Sequence, residues 1–182
     1  GRVEYGESIF TGYRYYDKKE LKVLFPFGYG LSYTEFAYDA FKVERAGEDF
    51  LVSLKVINTG AYEGKEIIQV YTGLNENAAI QPVRRLAAFA KVSLKPGESA
   101  AVSFTLSVRD FMYYDTDQKE FVYATGQNTI EVGKSSRSIE FKKTVEITES
   151  NKKYARINRN TTLGELQGIP ELKEIVDAWL NA

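Results

Sequence analysis

Between Phe36 and Ile147, apolar and polar positions alternate in short blocks separated by turn residues. That is the pattern of strands with one face buried and one face wet. In "FLVSLKVI", Phe50, Val52, Leu54 and Val56 share one face, and Ser53 and Lys55 share the other. "EIIQVYTG" places Ile68 with Val70, and "AKVSL" aligns Ala90, Val92 and Leu94. "VSFTL" sets Val102, Phe104 and Leu106 against Ser103 and Thr105. "IEFKKTVEI" sets Ile139, Phe141, Val145 and Ile147 against Glu140, Lys142, Thr144 and Glu146. The connections carry turn chemistry. "LKPGES" offers Pro96 with its preset φ and Gly97 for a positive φ, a type II turn. Asn58–Gly60 and Asp115–Glu120 read as further turns. Roughly seven such strands predict an all-β, antiparallel sandwich of immunoglobulin or fibronectin type III character.

Both flanks of this region have a different texture. On the N-terminal side, "FPFGYGLSYTEF" packs a proline, two glycines and recurrent aromatics into one stretch. Pro26 stops any helix, Gly28 and Gly30 permit tight turning, and Phe25, Phe27 and Tyr33 are placed to pin the turn. On the C-terminal side, "ESNKKYARINRN" is polar and linker-like. Beyond it, Thr162 precedes Glu165 at capping-box spacing, and Pro170 suits a first helical position. Leu172, Ile175, Val176, Trp179 and Leu180 then fall on one helical face. The expected organisation is a linker over 1–35, a β-sandwich over 36–148, and a polar connection with a helical tail over 149–182. A helix this short is marginal in water, so Leu172, Val176 and Trp179 are expected to dock it on a partner surface.

Composition narrows the chemistry. The chain has 182 residues, 43% of them hydrophobic, with a net charge of -1. Lys and Arg are scattered, which speaks against nucleic acid, and no apolar run is long enough to span a membrane. There is no Cys and no His, so thiolate and imidazole metal sites, Ser–His pairs and cysteine nucleophiles are excluded. "GYGLSY" partly matches a dinucleotide fingerprint, but strand-like sequence follows it where that motif needs a helix. Asp115, Asp117 and Glu120 do not complete a calcium loop. A retaining glycosidase needs two carboxyls ~5 Å apart in contrasting environments, and none of the acidic residues sits in a context that marks such a pair. No cofactor, metal or catalytic residue is assigned. Aromatics make up 14% of the chain, and they suit packing at edges and interfaces more than sugar stacking.

An ordered series carries a resemblance: "GESIFTGYRYYD", "LFPFGYGLSYTEF", "NTGAYEGKEIIQVYTG", "PVRRLAAFAKVSLKPGES" and "IEVGKSSRSI". From about Tyr5 to Ile147 the chain resembles the C-terminal part of glycoside hydrolase family 3, the β-glucosidase type. The resemblance implies a fibronectin type III-like domain preceded by a linker from an α/β-sandwich domain. In that family a barrel domain supplies an aspartate nucleophile and the α/β-sandwich domain usually supplies the glutamate acid/base. Neither motif occurs here, so both would lie upstream of Gly1. The implied partners are those two catalytic domains, and the implied substrate of the parent is a β-linked glucoside. Tyr29 stands where some relatives have His, and Ala87 and Ala88 depart from the family's glycine-bearing step. The expectation is a non-catalytic domain serving stability and domain arrangement. A carbohydrate-binding module and a scaffolding or adhesion sandwich are the alternatives.

Overall fold

The computed structural model describes residues 3, 6–75, 81–116, 118–148, 162 and 176–180. It divides into two units, residues 1–150 and 151–182. In the first unit a short helix, α1 (Tyr13–Lys18), precedes nine strands. These are β1 (Phe36–Ala46), β2 (Asp49–Asn58), β3 (Gly64–Gly73), β4 (Arg85–Leu94) and β5 (Ser99–Leu106), then β6 (Met112–Asp115), β7 (Glu120–Tyr123), β8 (Gly126–Ser135) and β9 (Ser138–Ile147). One sheet has the order β1-β2-β5 and the other β4-β3-β8-β9, all pairs antiparallel. This is an all-β sandwich of fibronectin type III character. The strand number exceeds the seven read from the alternation, because β6 and β7 form a separate two-stranded hairpin. The 115–120 turn joins them, with Asp115 opposite Glu120.

The core follows the alternation. Phe50, Val52, Leu54 and Val56 from one sheet are buried against Ile68, Val70, Ile130 and Val132 from the other. Phe111 closes one end, edge-on to Phe50 with ring centroids 5.4 Å apart. Each such side chain stabilises the fold by roughly 1.5–3 kcal/mol when fully buried. The turn at Pro96–Gly97 forms as the sequence predicts. Glu98 N donates to Lys95 O at 2.9 Å, and Gly97 takes φ 76°.

One strand departs from alternation. β2 alternates along its whole length, whereas β3 is buried without interruption from Ile68 to Gly73. The outward positions Gln69 and Tyr71 are 4% and 0% exposed. A third layer therefore covers this part of the four-stranded sheet, and it is the segment before β1.

In the second unit, residues 176–180 form a helical turn. Val176 is buried and Trp179 is 80% exposed. Three residues along a helix rotate a side chain by about 60° from Val176, enough to bring a large indole to the outside. Leu172, Glu165 and Pro170 lie outside the described residues.

Candidate functional site: a clamped linker

The covering layer is held by three sets of contacts. The first is a tight turn. Tyr29 N donates to Pro26 O at 3.0 Å, with Gly28 at φ 79°, a value open to glycine at no steric cost. A Cβ on Gly28 would overlap the side-chain amide of Gln69. Gln69 Nε2 donates to Gly28 O at 3.0 Å and to Lys134 O at 2.7 Å, and Gln69 Oε1 accepts from the Tyr71 hydroxyl at 2.6 Å. Ser136 N donates to Phe27 O at 2.9 Å. A buried amide in a strand is thus fully used, which removes the cost of desolvating it.

The second set anchors α1. Arg137 Nε donates to Asp17 Oδ1 at 2.7 Å, and Nη2 donates to Tyr16 O at 3.1 Å and Leu21 O at 2.8 Å. One planar guanidinium therefore ties together the end of the helix and the chain beyond it. Tyr13 stacks on Phe27 with centroids 4.4 Å apart and meets Tyr71 edge-on at 6.5 Å. Its hydroxyl accepts from Leu86 N at 2.9 Å, satisfying a donor on the edge strand β4. Burial, with the neighbouring Tyr13 phenol, pushes the Tyr71 hydroxyl well above its ordinary pKa.

The third set lies just before β1. Thr34 Oγ1 donates to Asn58 Oδ1 at 2.7 Å, and Thr59 N donates to Glu35 O at 2.9 Å. Side chains at Gly60 or Gly64 would collide with Thr34. The two glycines of "NTGAYEG" leave room for the threonine of "GLSYT".

The residues read as a structural linker fare differently. Pro26, Phe27 and Gly28 form the turn, and Phe27 is part of the clamp. Gly30 has no positive φ, and a Cβ there would meet nothing. Its expected need for glycine is corrected: Gly28 alone takes the left-handed conformation in this turn. Phe25 and Tyr33 point away from the clamp, at 70% and 96% exposure, as do Leu24 and Leu31. Sequence reasoning missed Tyr13, Asp17, Gln69, Tyr71 and Arg137. The continuous burial that "IIQVY" can adopt was the available signal, because alternation alone gives a strand only one buried face.

Two carboxyls are held above their ordinary range by burial, Glu66 and Asp110. Glu66 accepts from the Tyr38 hydroxyl at 2.8 Å, and Asp110 accepts from Ser107 N at 2.9 Å. Each is occupied in a structural bond. Among the described residues no group of three acidic side chains could hold a metal ion.

A fibronectin type III-like domain model matches residues 66–136. Thermostable beta-glucosidase B of Acetivibrio thermocellus is 40% identical over 97% of this chain and 25% of its own length. An exo-alpha-(1->6)-L-arabinopyranosidase of Bifidobacterium breve is 37% identical over 98% of this chain and 24% of its own length. The crystal structure of a Bifidobacterium adolescentis GH3 beta-glucosidase superposes with a TM-score of 0.82 at 38% identity, covering 97% of this chain and 26% of that one. This chain is the C-terminal fibronectin type III-like part of the glycoside hydrolase family 3 fold. It spans about a quarter of the length of those relatives. The segment from α1 to β1 is not a free tether in this chain, since hydrogen bonds from β3 and the β8–β9 turn hold it.

Proposed function

We propose that this chain is the supporting domain of a β-glucosidase-type hydrolase, with the nucleophile and acid/base on other domains of the same enzyme. Its divisions follow the strands: linker to residue 35, sandwich from 36 to 148, tail from 149. The observation that carries the reading is the two-sidedness of the linker. One side is bonded to the sheet, while Leu24, Phe25, Leu31 and Tyr33 are turned outward. Apolar side chains grouped in this way mark a contact surface, and the catalytic barrel and α/β-sandwich domains of the parent are the partners that fit it.

A β-linked glucoside is the substrate class of the parent in this reading, hydrolysed by the retaining double displacement. The domain itself does not choose the sugar. It is nearly as similar to a part of an arabinopyranosidase as to a part of a β-glucosidase.

An aryl β-glucoside assay on the 182-residue chain should show no turnover. In the full-length enzyme, Phe25→Ser with Leu31→Ser should lower the melting temperature and the activity together, while leaving this chain's own melting temperature unchanged. Turnover by the isolated chain that one acidic substitution abolishes would refute the first part. A full-length double variant indistinguishable from the parent would refute the second.

A further inference from the structure

The hairpin β6–β7 belongs to neither sheet. Its register opposes Met112 to Tyr123 and Tyr114 to Phe121, so these four side chains share one face, and buried Val122 belongs to the other. Tyr114 and Phe121 meet edge-on at 5.4 Å and remain 50% and 62% exposed. The same face runs into an open depression of ≈ 620 Å³ lined by Met112, Phe121 and Tyr123 together with Arg14, Arg85 and Arg109. That volume is within the ~300–1,000 Å³ of small-molecule sites.

The charges in this depression are unbalanced. Three guanidiniums line it and Asp110 is the one carboxylate among the lining residues. Arg85 donates to two neutral carbonyls, Met112 O at 2.9 Å and Asp110 O at 2.6 Å. Among the described residues Arg14 has no carboxylate within ion-pair range. Arg14 and Arg85 line the same depression, and burial, then the nearby Arg14 charge, lowers the pKa of Arg85 against the opposing pull of Asp110 and Tyr13. An anion placed between the two guanidiniums would relieve their repulsion.

We propose that this depression and the Tyr114–Phe121 platform bind a carboxylate-bearing sugar, a uronic acid residue of an oligosaccharide. A guanidinium fork matches a carboxylate with two parallel bonds. An aromatic face suits the apolar face of a pyranose ring. Asp110 and the hydroxyl of Tyr123 line the same space and can accept from sugar hydroxyls. A simple inorganic anion would engage the arginines alone. The site does not depend on what the parent enzyme hydrolyses.

The test is calorimetric titration of the 182-residue chain with a glucuronic acid-substituted xylo-oligosaccharide, its unsubstituted counterpart and sodium sulfate. The acidic sugar should bind with a Kd of about 0.1–1 mM, and the neutral one at least ~tenfold more weakly. Arg14→Gln should weaken the acidic sugar by about tenfold, and Phe121→Ala should weaken it by about fivefold. Arg109→Gln, at an exposed position, tests the charge again without touching the linker. Unchanged melting temperatures in these variants would show that the losses are local. Equal binding of the neutral sugar, equal binding of sulfate, no effect of the arginine variants, or no binding by ~10 mM would each overturn the proposal.

Discussion

The two sheets of this sandwich present outer faces of opposite kinds. On the three-stranded sheet, the outward positions of β2 are Leu51, Ser53, Lys55 and Ile57, and the strand alternates along its length. On the four-stranded sheet, the outward residues Gln69, Tyr71 and Glu131 are buried as completely as the core. Glu131 is held by Arg84 at 2.7 Å and Lys142 at 3.1 Å, Gln69 by the linker turn, and Tyr71 by Tyr13. An outward position on the first sheet is a surface position, and on the part of the second that the segment before β1 covers it is an interior one, while Ile67 and Phe89 outside that cover stay exposed. The domain is therefore a sandwich with a partial third layer, and that layer is the segment before β1.

The most severe way to break this contrast is to remove a side chain from each outer face. Tyr71→Ala should cost about 3–5 kcal/mol, the range for deleting a large buried ring, because it also strips Gln69 of its hydroxyl partner. Lys55→Ala, outward on β2 and exposed, should stay within about 0.5 kcal/mol. Urea unfolding of both variants measures the pair. Similar losses would mean that the linker does not cover the sheet in solution.

Next in size is Gly28→Ala. It places a side chain at φ 79° and into the Gln69 amide. Strain at such a position costs of order 1–3 kcal/mol. The loss should be local, with hydrogen exchange faster in residues 13–29 and unchanged in β2. Uniformly faster exchange across both sheets would contradict the division into layer and sandwich.

These two experiments fall on the parts of the molecule that the sequence reveals least. Alternation reports a face only when the opposite face meets water, and for that reason β2, β5 and β9 are legible residue by residue. β3 was legible as a strand, but its second buried face was not, because its cover comes from residues some forty positions away. The motif glycines show the same split. Gly97 announces its turn through the neighbouring proline, whereas Gly60 and Gly64 are needed for the bulk of Thr34, a contact between distant segments. The arginines of the depression beside β6–β7 come from three separate stretches of chain, and only folding collects them.

A smaller effect sharpens the picture of the α1 anchor. Arg137→Ala removes three bonds to Asp17, Tyr16 and Leu21. Bonds to a charged group contribute about 1.5–3 kcal/mol when buried, but Arg137 is about a third exposed, so a loss of about 1–2 kcal/mol is expected after screening. Arg137→Lys should recover little of it, since an ammonium cannot span the same acceptors as a planar fork. Proteolysis within residues 13–21 should speed up in both variants. Full rescue by lysine would show that charge, not geometry, holds the helix.

The smallest expected effect lies between the two sheets rather than outside them. The Tyr38 hydroxyl on β1 donates to Glu66 on β3 at 2.8 Å, and Lys134 Nζ on β8 donates to Phe36 O at 2.7 Å while lying over the Tyr38 ring. Burial raises the Glu66 carboxyl above its ordinary pKa, outweighing the Tyr38 bond and the Lys134 charge that lower it. A raised pKa means the folded state holds this proton more tightly than the unfolded chain. Its contribution to stability is fully present below the unfolded value and disappears as pH rises through the folded value. At neutral pH the ionised carboxylate is therefore a small liability. Glu66→Gln keeps an acceptor for Tyr38 and removes the charge, so it should raise the melting temperature at neutral pH by a few degrees at most. The gain should shrink as pH falls through the acidic range and vanish below the ordinary carboxylate pKa, where the parent is itself protonated. A melting curve series across that range decides the matter. If the glutamine variant is less stable at every pH, the Lys134 charge outweighs burial, and this seam is an ion pair rather than a desolvated acid.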